Sequence, residues 1–318
     1  MNEGTPSGGH AASIRDHMLA RVETTRVICL GLSALDHIWR VDELFVGGSE
    51  KIKSSEHHSI GGGMAANGAV AVARLGGIAE FWGRGGQDAA GEEMRGAMAE
   101  QGVCVEHFRL FPGGRSSISA LIVDRAGERQ IVNFRGSYPE DATWLPLETV
   151  ATAACVLADP RWVSGARALF IAARKHNVPT VLDADMAEPD VFEALLPLTD
   201  QAIFSEPALA RFTKRDAESG LEVVAAYGCR VAGVTRGARG VTWRTDGAIH
   251  QRLAARIEVV DTSGAGDVFH GAYALAVGAG LAVTDCMSFA SAAAALKCTR
   301  LGGRAGIPTL RECLDFEG

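Results

Sequence analysis

Asp261-Thr-Ser-Gly264-Ala265-Gly266-Asp267 is the stretch whose residue types point most directly to chemistry. The apolar run 257–260 reads as a strand end, the small residues after it force a tight turn, and a helical pattern begins near Asp267. Such an arrangement is an anion site. The amides of Gly264, Ala265 and Gly266 would point ahead of the helix, where the helix dipole also favours negative charge. Asp267 places a carboxylate inside that cradle, where charge repulsion makes it costly unless it has a task. Taking a proton from an attacking hydroxyl is the task that phosphoryl transfer supplies.

The elements that must hold this turn can be read in outline. Arg26-Val-Ile-Cys-Leu-Gly31 is a short apolar run ended by glycine, as for a first buried strand, and Asp36 follows shortly after. Segments 38–41, 51–60, 116–123 and 130–134 lean towards β structure with apolar residues that often alternate, a pattern suited to a small sheet covering a cleft. An Ala-rich helix over 65–75 is opened by Gly61-Gly62-Gly63. From Cys155 the pattern alternates strand (155–158, 180–182, 202–204, 231–234) with helix (163–175, 189–197, 207–213). That alternation implies β-α-β units and a parallel sheet with helices on both faces, which binds ligands beyond the carboxyl ends of its strands. Two further Ala-rich helices are expected at about 267–280 and 284–298.

Composition narrows the partners. The 318 residues are 47% hydrophobic, enough for a substantial core, and the formal charge of −7 argues against a nucleic-acid surface or an anionic membrane. No apolar span approaches the ~20 residues that cross a bilayer. The seven cysteines are scattered without a Cys-x-x-Cys pair, which reads as reduced thiols in a cytoplasmic protein. The histidines, among them His57, His58 and His270, read as surface or packing residues. Residues 1–24, rich in Gly, Ser, Glu and His, lack the apolar core of a secretory signal and read as a flexible tail.

Four motifs stand in order along the chain: Gly62-Gly63-Met-Ala-Ala-Asn67 running on to Gly76, Gly83-Arg-Gly-Gly86-Gln-Asp88-Ala-Ala-Gly91, Thr235-Arg-Gly237-Ala-Arg-Gly240, and Asp261 to Asp267. Together they resemble the signatures of the ribokinase-like (PfkB) carbohydrate kinases over about residues 26–312. The resemblance implies a three-layer α/β/α Rossmann-like core with a small β-sheet lid, as one kinase domain over 25–318 whose lid strands come from about 38–60 and 108–135. It makes Asp267 the catalytic base and the Gly264, Ala265 and Gly266 amides the anion hole. Asp36, Gly62, Gly63 and Asn67 would contact the sugar, and Thr235, Gly237 and Gly240 the nucleotide. ATP and Mg²⁺ are the implied cofactors, with K⁺ as a candidate monovalent cation, and a homodimer formed through the lid is the implied assembly. One position departs from the family: Ser205 and Ala208 stand where Asn and Glu are expected, leaving Glu206 as the candidate carboxylate for a water-mediated metal contact.

Lys51, Asn133 and Arg161, with the segments 204–211 and 295–308, resemble the subgroup that phosphorylates 6-deoxy-6-sulfofructose at its 1-hydroxyl. In that subgroup the matching Lys, Asn and Arg hold the sulfonate, whose three oxygens and charge suit two cations and an amide. A phosphofructokinase or tagatose-phosphate kinase and a neutral-sugar ribokinase are the alternatives within this chemistry. A nucleotide-binding regulator is the non-enzymatic one, and the presence of Asp267 argues against it. A dinucleotide oxidoreductase needs a Gly-x-Gly-x-x-Gly turn after the first strand, and Gly31-Leu-Ser-Ala-Leu-Asp36 is not one.

Overall fold

The computed structural model describes residues 8–49 and 51–316. In chain order the strands are β1 (Arg26–Gly31), β2 (Ala34–Arg40), β3 (Glu56–Gly62), β4 (Ile78–Gly86), β5 (Phe108–Phe111), β6 (Ile118–Val123), β7 (Arg129–Phe134), β8 (Cys155–Ala158), β9 (Thr180–Ala184), β10 (Gln201–Ser205), β11 (Val231–Thr235), β12 (Val241–Thr245) and β13 (Ala248–Arg252). Nine form a large sheet in the order β13-β12-β11-β10-β9-β8-β1-β4-β5. Neighbours are parallel from β11 to β5, and β12 and β13 extend the sheet as an antiparallel edge.

Both faces of the central parallel strands are buried, as the alternation along β1 shows, whereas β13 is exposed. Val27 and Cys29 pack into a core with helices Met64–Arg74 and Ala265–Ala279, while Ile28 and Leu30 point into a second core with helix Val163–Lys175. This is the three-layer architecture expected for a parallel sheet. Chain order reverses between β1 and β8, so the crevice beyond their carboxyl ends is the topological switch point where ligands bind.

β3, β2, β6 and β7 form the second, smaller sheet. Its register sets Ile60, Asp36, Ser119 and Asn133 side by side across all four strands. Residues on the same rung of neighbouring strands share a face, so Asp36, Ser119 and Asn133 form one polar row.

Several expectations are corrected. Residues 257–260 are irregular, with Val259 and Val260 exposed; the Val260 and Asp261 amides donate to Cys298 O at 2.8 and 3.1 Å instead of joining a sheet. Residues 51–55 are likewise irregular, and β3 begins only at Glu56. Phe108–Phe111 lies on the edge of the large sheet, not in the lid.

The tail expected over 1–24 is also revised. Residues 1–7 fall outside the described ones, but Gly8–Arg21 is helical, with Met18 buried and Ile14 packed against the same core, and Val22, buried too, opens the 3-10 turn that follows. A spacing of four puts Ile14 and Met18 on one helical face, and Val22 extends the stripe into the turn. Composition obscured that stripe.

Candidate active site

Asp267 sits in the first turn of helix Ala265–Ala279, which Gly264 caps in the left-handed region at φ 74°. Helix Met64–Arg74 crosses this helix at backbone contact, because Gly271 has no side chain and a Cβ there would collide with Gly68 O. The crossing brings Asn67 to Asp267. Its Nδ2 donates to Asp267 Oδ2 at 2.7 Å, and its Oδ1 accepts from Arg304 Nε at 2.9 Å.

Asp267 is half-buried as a residue, yet protein atoms surround its carboxyl group. That burial, reinforced by the negative charge of Asp183, pushes its pKa from the ordinary 3.8 up to about 7, against the pull of the Asn67 bond and of His270. A carboxylate with that affinity takes a proton from a hydroxyl near neutral pH. Around it the cradle is open, since a Cβ on Gly266 would meet nothing within 4 Å.

Next to this turn lies Asp36, linked to it through Arg304. A Cβ on Gly62 would collide with Asp36 Oδ2, so only glycine allows the β2 carboxylate to lie against the β3 backbone. Burial raises the Asp36 pKa, offset by a hydrogen bond from Ser119 and by the Arg304 charge. Gly63 opens helix Met64–Arg74 at φ 95°. Arg304 reaches in from the segment after helix Val283–Cys298 and donates through Nη2 to Gly62 O at 3.2 Å. Its buried Nη1 has no hydrogen-bond partner among the described residues. Burial lowers the Arg304 pKa to about 10, while the charges of Asp267 and Asp36 oppose the shift. A polar chain therefore runs from Asn133 through Ser119 (3.1 Å), Asp36 and Arg304 to Asn67 and Asp267.

Asn133 and Arg161 line one cleft of about 540 Å³ beside Leu32, together with Arg84, Arg135 and Arg211. Arg84 is paired with Glu140 at 2.9 Å and Arg211 with Glu188 at 2.6 Å, whereas Arg161 Nη1 donates to Met186 O at 2.6 Å. Lys51 is exposed on the irregular segment before β3 and does not line this cleft.

On the far rim, Thr235 ends β11 with its hydroxyl donating to Phe204 O at 3.3 Å, and Gly237 and Gly240 bracket the single 3-10 turn leading to β12. Glu206 joins this loop to β10 because its carboxylate is held by Arg236 at 3.2 Å and by Arg239. Two guanidiniums already occupy it. Asp185, which accepts from Ser205 Oγ at 2.7 Å, better fits the hard-oxygen chemistry of Mg²⁺, an ion that keeps most of its waters and takes one or two carboxylates beside a substrate phosphate. The described residues contain no cluster of three or more His, Cys, Asp or Glu arranged as a metal cage.

Sequence reading missed Asp159, Asp183, Asp185, Ser119 and Arg304. The three acids lie at or just past the ends of β8 and β9, and acidic residues at carboxyl ends of parallel strands were the available signal. Asp159 is buried and accepts from the amides of Leu32 (2.7 Å), Ala65 (3.1 Å) and Arg161 (2.8 Å). It thus fixes the three segments that carry Asp36, Asn67 and Arg161. His270 is a packing residue, with its ring nitrogens against Gly266 O at 2.7 Å and Ile203 O at 3.1 Å.

Residues 24–310 match the family model described as pfkB family carbohydrate kinase. The chain is 27% identical over 297 residues to the ribokinase of Haemophilus influenzae, covering 90% of this chain and 96% of that one. Among solved structures, a provisionally assigned ribokinase from Agrobacterium tumefaciens superposes with a TM-score of 0.86 at 36% identity, covering 91% of this chain and 96% of that chain. Arabidopsis thaliana ribokinase, solved with ribose and ATP, gives 0.82 at 25% identity over 92% and 99%. The mostly parallel large sheet and the four-stranded sheet beside it agree with these matches. The chain belongs to the pfkB family of carbohydrate kinases, phosphotransferases that use ATP with Mg²⁺ to phosphorylate sugar hydroxyls.

Proposed function

We propose that the acceptor is a ketose bearing an anionic group, 6-deoxy-6-sulfofructose, and that the product is its 1-phosphate. One observation carries this reading: Asn133 from the lid and Arg161 from the end of β8 line the same arginine-rich cleft, continuous through Leu32 with the loop leading to Asp36. Arg161 donates to a carbonyl and forms no ion pair among the described residues, although its charge also acts on the buried Asp159 and Asp183; this leaves its guanidinium donors to support binding of an anion. Asp36 and Gly62 would orient the sugar, and Asp267 would accept the proton of the 1-hydroxyl as it attacks the γ-phosphorus in line. The Gly264, Ala265 and Gly266 amides would stabilise charge on the transferred group, and the metal ion, held on the phosphates near Asp185, would supply further neutralisation.

A neutral acceptor is the second reading. It is favoured by the pairing of Arg84 with Glu140 and of Arg211 with Glu188, which cancels two of the four arginine charges, and by relatives named ribokinase and by a fructokinase of Vibrio alginolyticus that is 27% identical over 282 residues. Coupled assays of ADP release with 6-deoxy-6-sulfofructose, fructose 6-phosphate, tagatose 6-phosphate, fructose and ribose separate the two. Highest kcat/KM for ribose or fructose refutes the anionic reading.

Two further proposals concern context. Ile131 and Val132, 55% and 73% exposed on the edge strand β7, support pairing of two lids in a homodimer. Seven free cysteines, five of them buried, support a reducing cytoplasmic setting.

A further inference from the structure

Lys297 has no exposed surface, although lysine is among the residues least often buried. It projects from the last turn of helix Val283–Cys298, and its Nζ donates to Asp261 O at 2.8 Å and stands 3.4 Å from Asp261 Oδ2. The same carboxylate accepts the amides of Ser263 at 2.9 Å and Gly302 at 3.0 Å. Burial opposes ionisation of Asp261, but these bonds and the Lys297 charge hold its pKa below the ordinary value. The ammonium is therefore enclosed between the turn that supplies the anion hole and the segment that carries Arg304. A buried ammonium is costly unless it is paired and hydrogen-bonded, so its position calls for a function.

We propose that Lys297 is a positioning residue that acts as a tethered monovalent cation for the 261–267 turn. An ammonium carries the single positive charge of K⁺, is close to it in size, and takes the same carbonyl and carboxylate oxygens. Here Nζ engages both the main-chain oxygen and the carboxylate of Asp261, the two kinds of oxygen that coordinate an alkali cation. The consequence is a kinase whose turnover does not depend on added K⁺. This inference rests on phosphoryl transfer at Asp267 and not on which sugar accepts.

The test uses the intact enzyme with Mg²⁺, ATP and whichever sugar of the acceptor panel is turned over. Turnover and melting temperature are measured in KCl, NaCl and tetramethylammonium chloride at constant ionic strength, and neither is expected to show a K⁺-specific change. Activation by K⁺ of about fivefold or more, the lower end of ordinary coupling between sites, overturns the proposal. Lys297→Ala is expected to lose turnover and melt lower, with both partly recovered by K⁺ or methylammonium but not by tetramethylammonium. A folded Lys297→Ala enzyme that responds to neither cation also overturns it, and if that variant does not fold, the wild-type salt series decides.

Discussion

Asn67 donates to Asp267 through a 2.7 Å hydrogen bond, and the orientation of its amide is fixed from the opposite side by Arg304. Arg304 can only donate, so Asn67 must present its oxygen to the guanidinium and its nitrogen to Asp267. That bond favours the ionised form of a carboxylate whose pKa burial has raised. Asn67→Ala removes it, and a hydrogen bond to a charged group is worth about 1.5–3 kcal/mol, or roughly one to two pKa units. The acidic limb of the kcat/KM profile should move up in pH by about one unit. An unmoved limb, measured in overlapping buffers, would show that the contact does not tune the base.

Replacing Asp267, the proposed base, gives a sharper result. Asp267→Asn should lower kcat by ~10²–10⁴-fold, the range for loss of a general base, while ATP binding measured by calorimetry is retained. In the wild-type enzyme kcat/KM should rise with pH through about 7 and then level off, because Asp267 must be ionised. Stability moves the other way. A carboxyl whose folded pKa lies above its unfolded value binds more protons when folded, so its contribution is most favourable near pH 4 and is lost as pH rises to about 7. Asp267→Asn should abolish that component in denaturant titrations run across the interval.

The turn, the β-α-β alternation and the four motifs were legible because each rests on local pattern: glycines where the backbone closes, and apolar runs at strand length. What stayed hidden depends on contacts between distant segments. Nothing near Arg304 in sequence indicates that it lies beside Asp36, 268 positions earlier, and Ser119 becomes a site residue only once the register places it between Asp36 and Asn133. The strand expected at 257–260 failed for a similar reason, since its amides are satisfied by Cys298 O and not by a neighbouring strand. Lys51 was joined to Asn133 and Arg161 by resemblance alone, and the structure brings only the latter two to one cleft.

Arg161 and Asn133 test the anionic acceptor. Arg161→Ala should raise KM for 6-deoxy-6-sulfofructose by ~10–100-fold, the loss of a charge-assisted hydrogen bond, and leave KM for fructose or ribose within about twofold. Asn133→Ala should act in the same direction with smaller effect. Equal losses on charged and neutral sugars would assign both residues to the shape of the cleft rather than to its charge.

Gly62 controls how closely Asp36 approaches the β3 backbone. Gly62→Ala would drive a methyl group into Asp36 Oδ2, and the carboxylate must swing away because the backbone on either side is held by sheet pairing. A displacement of about 1 Å at a positioning group can cost ~10²-fold in rate, so the loss should appear in kcat/KM for the acceptor while KM for ATP is unchanged. Because Arg304 bonds Gly62 O and also Asn67, some of that loss should be transmitted to the base and appear in kcat. Steady-state kinetics with each substrate varied in turn will separate these effects. An unchanged acceptor KM would remove Asp36 from the sugar-binding set.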